Sequence, residues 1–241
     1  EKCNMTSVID CTNMSSLVPT SSLYNGLPEV EDANAALRGK ASVQDVLAEA
    51  MDIIESSELS AYLGVRLVHR HFRLGKDKVM VEQLEQCDNI DSLVTAESTL
   101  SMAKQLGAVP ASWIFSEDAI FPFEYSTDQA VKDGVSKLLE APQVFLTLRD
   151  LILTHHLEDL FAVAILKRQG LECGQEESML EKSFGEAGHG GRSIVQRVAN
   201  GSIDALSIVT SWQPTAHGRC YARYFCDRIN GIHVRTKDIH E

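Results

Sequence analysis

The spacing His69-x-His71 places two imidazoles on a segment, Tyr62 to Leu74, whose composition reads as a β-strand. Residues two apart on a strand point to one face, so the pair can share a ligand. Gly75-Lys76-Asp77 supplies turn chemistry, and Lys78 to Leu84 reads as a second strand, which predicts a β-hairpin over 62–84. With a two-residue turn, His69 lies opposite Glu82 and His71 opposite Met80. Two imidazoles and a carboxylate then converge, the ligand set of a facial-triad iron site or of a catalytic zinc site with an open position. His69, His71 and Glu82 are therefore the candidate catalytic and metal-ligating residues, for acid/base work or for a divalent metal such as Fe or Zn. A three-residue turn would instead set Glu82 against Arg70 as a cross-strand ion pair. The plain alternative is two half-buried strand histidines.

The same hairpin carries Arg66, Arg70, Arg73, Lys76 and Lys78 in a chain of formal charge -12. Arg66 and Arg70 share a face with Val68 and Phe72, so their guanidinium groups could bind a small carboxylate or phosphate bidentately. They are the candidate substrate-binding residues, and a small anionic molecule is the expected partner. The opposite face, Leu63, Val65 and Leu67, joins a core and runs on into His69 and His71 as though entering a cleft.

Other chemistry-bearing residues have ordinary explanations. His155-His156 ends a helix, where cations suit the carbonyl end of the dipole. Gly188-His189-Gly190-Gly191 before Arg192-Ser193 has the outline of an anion-binding loop but lacks the Lys-Ser/Thr of a P-loop. Cys220 and Cys226 share a strand face, and with His217 nearby a Cys-His pair is conceivable, against buried cysteines acting as small hydrophobes. No G-x-S-x-G, H-E-x-x-H, Walker A or kinase signature occurs.

The elements that position these residues follow from period and punctuation. Residues 1 to 40 hold no sustained apolar period and predict a flexible N-terminal arm, with a single domain over 41–241. Val43, Val46, Leu47, Ala50, Met51 and Ile54 predict a helix after Ser42. Ser126-Thr127-Asp128 caps a helix reaching Glu140, and Pro142 opens another to about Leu157. Leu160 to Leu166 is an unbroken apolar run suited to a central strand covered on both faces. Ala111 to Phe115 and Ile120 to Tyr125, flanked by prolines, read as edge or peripheral strands. Glu176 to Phe184 and Arg192 to Ala199 read as short helices, and Asp204 to Trp212, Arg219 to Arg228 and Ile232 to Lys237 as strands, the last two joined by Asn230-Gly231. The expected fold is α+β, a mixed, mainly antiparallel sheet with helices packed on it.

Gly64-Val65-Arg66-Leu67-Val68-His69-Arg70-His71-Phe72, with Pro110-Ala111-Ser112-Trp113 and Phe121-Pro122-Phe123-Glu124-Tyr125, resembles a group of uncharacterised fungal proteins. The resemblance covers about residues 60 to 165 and implies a fungal-type intracellular protein; the group brings no function with it.

Composition bounds the rest. The 241 residues are 44% apolar and 23% charged, ordinary for a globular chain. With 34 acidic against 22 basic residues the chain repels a phosphate backbone, so nucleic acid is not an expected partner. The longest apolar run, Leu160 to Leu166, is far short of a membrane span. Glu1 to Asp10 lacks the features of a secretory signal, although a processed chain would look the same. Six cysteines without C-x-x-C spacing point to a reducing compartment, against sequons at Asn4, Asn13 and Asn200, and predict a cytoplasmic protein. The sequence leaves two functional classes: an enzyme acting on a small anionic metabolite through a metal or histidine site on the 62–84 hairpin, or a non-catalytic binding or interaction module.

Overall fold

A computed structural model describes residues 15–18, 20–87, 89–174, 176–184, 191–214 and 220–226. Ten strands close into a barrel: β1 (Leu63–Leu67), β2 (Lys78–Cys87), β3 (Ile90–Thr99), β4 (Val109–Phe115), β5 (Ile120–Ser126), β6 (Phe161–Ile165), β7 (Glu177–Phe184), β8 (Arg192–Ala199), β9 (Ile208–Pro214) and β10 (Cys220–Cys226). Their order around the barrel is β1-β6-β4-β5-β2-β3-β8-β7-β10-β9, and β9 returns to β1. Among the described strands only β2 with β5 and β7 with β10 pair in parallel. The sheet is thus mixed and mainly antiparallel as expected, but it is closed rather than open, which leaves no exposed edge among the described strands.

Helices cover one side of the wall, and a short one, α4 (Leu100–Gln105), links β3 to β4. α3 (Val43–Glu55), α5 (Gln129–Glu140) and α6 (Pro142–Thr154) pack on the outward faces of β1, β4 and β6, where Leu63, Val65, Trp113, Phe161, Val163 and Ile165 join them in the largest apolar cluster. Asp128 caps α5 by accepting from the N–H of Ala130 at 2.8 Å and of Val131 at 3.3 Å, and Pro142 stands in the first turn of α6. Gly134 lets α5 close on the wall, since a Cβ there would lie 2.9 Å from Ile165 Cγ2. β6 is buried throughout, under helices on one face and against the lumen on the other. None of the described helices is long and apolar enough to cross a membrane.

Five expectations change. The 62–84 hairpin does not form: β1 pairs with β6 and β9, while β2 pairs with β5 and β3. The better turn for β2 is the two-residue link after Cys87, where Cys87 pairs with Ile90 and Asn89 takes a φ of 63°. The segments expected to be edge strands, β4 and β5, are inner staves of the wall, and their prolines sit beside register irregularities between Pro110 and Trp113. β7 and β8 are strands, not short helices, and pair along their length. In the expected arm, residues 20–39 contain α1 (Ser21–Asn25) and α2 (Val30–Arg38), which bury Tyr24, Val30 and Ala33. Finally, the chain leaves the sheet at Val68, so the strict alternation that placed His69 and His71 opposite Arg66 ends there. Residues 1–14, the Gly185 to Gly190 loop, His217, and the expected Asn230-Gly231 hairpin with its strand 232–237 lie outside the described residues.

The lumen is layered. At one end Leu93, Ala164, Met179, Val195 and Tyr224 form an apolar plug. At the other, α1 and the segment 68–74 lie across the barrel, with Tyr24, Val68 and Phe72 packed on Met80 and Ala162. Between them is a polar layer built on Arg66, Glu82, Glu124, Glu181 and Arg168, all buried. Small residues make room for it: Arg66 stands opposite Ala162 and Gly64 opposite Ala164.

Candidate metal centre

Where β1 ends, Val68 N–H still bonds to Leu160 O, and the chain then bends inward over the barrel mouth. This turns His69 and His71 towards the lumen, their rings edge to face with centroids 4.6 Å apart. Tyr24 fixes the bend, its hydroxyl accepting from His71 N–H at 2.8 Å. Reciprocal bonds of the Asn25 side chain to Leu74 N and O, both 2.8 Å, tie α1 to the same segment.

Glu181 of β7 and Cys226 of β10 complete a cluster with the two histidines. The ligand atoms of all four lie within 4.8 Å of one another, and the residues are only 1 to 3% exposed. His69 Nδ1 is 2.8 Å from Leu67 O, which places its proton there and leaves the Nε2 lone pair facing Cys226 Sγ at 3.6 Å. Sγ is also 3.6 Å from Glu181 Oε2. One thiol proton cannot serve both acceptors. His71 Nδ1 lies 3.3 Å from Glu181 Oε1 without a hydrogen bond, and on the ring's other side Glu124 Oε1, also without one, lies 3.7 Å from Nε2. The cluster holds more lone pairs than protons, the condition a cation relieves.

Neighbouring groups orient these donors. Ser193 donates to Glu181 Oε1 at 2.7 Å, and Ser112 to Glu124 Oε2 at 2.7 Å. A bulge helps to aim Glu124, because Ser112 pairs with Glu124 and Trp113 with Pro122, leaving Phe123 without a register partner on β4. Arg66 forms an ion pair with Glu124 and lies 3.7 Å from Glu181 and 3.5 Å from His71 Nε2.

Electrostatics follow from burial and these partners. Burial, with His71 and Arg66 nearby, pushes His69 well below the usual imidazole range, so it stays neutral and able to ligate. Burial raises the Cys226 thiol, and Glu181 raises it further, so a thiolate here requires a cation. Burial alone would raise Glu124, but Arg66, then His71 and Ser112, outweigh it and bring the carboxyl down to about 2. Burial opposes the charge on Arg66, and Glu124 and Glu181 overcome that, raising its pKa.

Of the residues singled out by sequence, His69 and His71 are brought together and Glu82 does not join them. Its carboxylate is held by Arg168 Nε and, at 3.2 Å, Arg168 Nη2, with Ser126 donating at 2.9 Å. Arg66 is in the lumen but paired with carboxylates. Arg70 is on the outer side of the lid that α1 and the segment 68–74 form over the barrel, bonded to Leu27 O and paired with Glu29. Each guanidinium thus faces a carboxylate of the protein, Arg66 that of Glu124 and Arg70 that of Glu29. His155 caps α6 and His156, exposed, follows at a φ of 53°. Glu124, Glu181 and Arg168 were not singled out; the signal for Glu124 was one acid inside the apolar run Phe121 to Tyr125, and Glu181 directly follows the apolar pair Met179-Leu180. A small cavity of about 10 Å³ lies beside Arg66, Glu82, Glu124 and Glu181, room for one water-sized atom. Comparison with known proteins gave no match, neither a protein-family model nor a curated protein nor a solved structure.

Proposed function

We propose that this protein binds one divalent transition metal in its barrel through His69 Nε2, His71 Nδ1, Glu181 and Cys226 Sγ. The carrying observation is the spacing of the donors. Metal bonds of about 2.3 Å to sulfur and about 2.0 Å to nitrogen or oxygen, at a tetrahedral angle, give ligand-to-ligand edges of roughly 3.3 to 3.6 Å. The contacts of Cys226 Sγ with His69 Nε2 and Glu181 Oε2, both 3.6 Å, and of His71 Nδ1 with Glu181 Oε1, 3.3 Å, already have those lengths, Glu181 turning one oxygen to each neighbour.

Charge supports the same reading. With a thiolate, Glu82, Glu124, Glu181 and Cys226 carry four negative charges, and Arg66, Arg168 and a divalent ion carry four positive ones. A donor set of two imidazoles, a carboxylate and a thiolate favours zinc, with iron(II) next, over magnesium or calcium. Glu124 beside His71 Nε2 and Leu67 O beside His69 Nδ1 are the outer partners that ligating histidines use.

Four protein donors shut from solvent describe a closed centre. The enzyme reading, with a small anionic metabolite as substrate, has one support, the cavity beside Glu181 with Arg66 on its wall. That cavity holds a water-sized reactant, and a larger one there requires α1 and the segment 68–74 to lift. The test is metal analysis of purified protein. One zinc or iron per chain, lost in His69→Ala and in His71→Ala, is expected. Metal-free protein that also gains no thermal stability from added zinc or iron(II) would refute it.

A further inference from the structure

On the outer side of the lid, between α1, α2 and the β4–β5 end of the wall, runs a groove of about 650 Å³. Its size falls within the roughly 300 to 1,000 Å³ of small-molecule sites. The floor is apolar: Leu27 after α1, Val68 of the segment 68–74 and Ile114 of β4 belong to the cluster that seals the lumen, and Phe121 of β5 beside them remains 39% exposed. The charged groups lining it are all acids, Asp32 from α2 and Glu158 and Asp159 from the turn after α6. No lysine, arginine or histidine lines it among the described residues. Arg70, the nearest cation of the lid, is already held by Leu27 O and Glu29.

Glu158 gives the groove its polarity. Its Oε2 is cut off from solvent and has no hydrogen-bond partner. No donor of the protein offsets the carboxylate's charge on that side, and a cation carried into the groove on an apolar body would supply the missing positive charge while covering the floor.

We infer that the groove binds a small organic cation, a protonated amine on an aromatic or alkyl body, with the ammonium at Glu158 and the body over Leu27, Ile114 and Phe121. The site is separate from the metal centre: it lies outside the lid and uses none of the four metal donors. A negatively charged ligand of the same shape is rejected, because the charged groups lining the groove are three carboxylates.

Naphthylmethylammonium and naphthylacetate, which share one apolar body, are suitable probes for titration calorimetry with the full chain. The ammonium is expected to bind at least tenfold more tightly than the carboxylate. Glu158→Gln should weaken the ammonium at least fivefold, and Asp32→Asn, from the opposite wall, should weaken it less while leaving thermal unfolding unchanged. Equal binding of both probes, no binding of the ammonium at millimolar concentration, or an ammonium affinity unchanged in both variants would overturn the inference.

Discussion

Replacing Arg66 by Met keeps the side chain's length and apolar stem but removes the one cation shared by Glu124 and Glu181. Glu124 loses a direct ion pair and Glu181 loses a positive charge 3.7 Å away. At the effective dielectric of about 20 that suits protein sites, a pair at such a distance interacts by about 4 kcal/mol before desolvation is counted. Breaking a buried pair by removing one partner typically costs about 3 to 5 kcal/mol, against a total stability of about 5 to 15 kcal/mol for a native protein. Arg66→Met should therefore lose roughly 4 kcal/mol in urea unfolding, read as a lower midpoint at unchanged slope. Adding Glu124→Gln should return about half of that, because one stranded charge is removed and Glu181 remains. The pH dependence has a definite sign. In Arg66→Met the unpaired, buried Glu124 has a raised carboxyl pKa and is stable in its protonated form, so the gap to the parent protein should narrow as pH falls from 7 towards 4. A loss below about 1 kcal/mol, or a gap that widens on acidification, would show that the lumen charges are screened and that the polar layer described above is not a coupled unit.

In the parent protein Glu124 titrates near 2 instead of the ordinary 4.5, so its stabilisation is fully present above about pH 4.5 and fades as pH falls to about 2; acid unfolding should show a loss of about 3 kcal/mol over that window that is absent in Glu124→Gln. Tyr24→Phe strands the buried N–H of His71 and should cost about 1 to 3 kcal/mol, with faster hydrogen exchange confined to the segment 68–74 as its local signature. Gly64→Ala would place a Cβ 2.5 Å from the backbone oxygen of Trp212 and in collision with Leu166, and should lower the melting temperature by an overpacking cost of about 1 to 3 kcal/mol, whereas Gly201→Ala, with open space around it, should not.

The parts of the fold that follow local rules were legible in the sequence. The stripe from Val43 to Ile54, the Asp128 cap, Pro142 at the start of α6 and the apolar run of β6 all lie where their period and punctuation place them. Strands that line a charged lumen were harder to read. In β7 the inward residues include Glu181 and Ser183 beside Met179, so the usual apolar-inside alternation is lost and the segment passes for a helix. The 62–84 hairpin was a reasonable inference from Gly75-Lys76-Asp77, but Val68 leaves β1 to bond with Leu160, and β2 finds β3 through a tighter turn. For the site, His69 and His71 were visible because two residues suffice to place them together. Their partners were not, since Cys226 is 157 positions from His69 and reaches it only when β10 closes the barrel through β9 and β7.

The most direct test of the metal centre is titration of the metal-free protein with cobalt(II), whose absorption reports both coordination number and sulfur ligation. One equivalent is expected to give the intense visible bands of a four-coordinate ion together with a near-ultraviolet thiolate charge-transfer band, and Cys226→Ser should abolish the second while His71→Ala weakens both. Weak bands of octahedral cobalt, or a charge-transfer band that persists in Cys226→Ser, would contradict a centre built on His69, His71, Glu181 and Cys226.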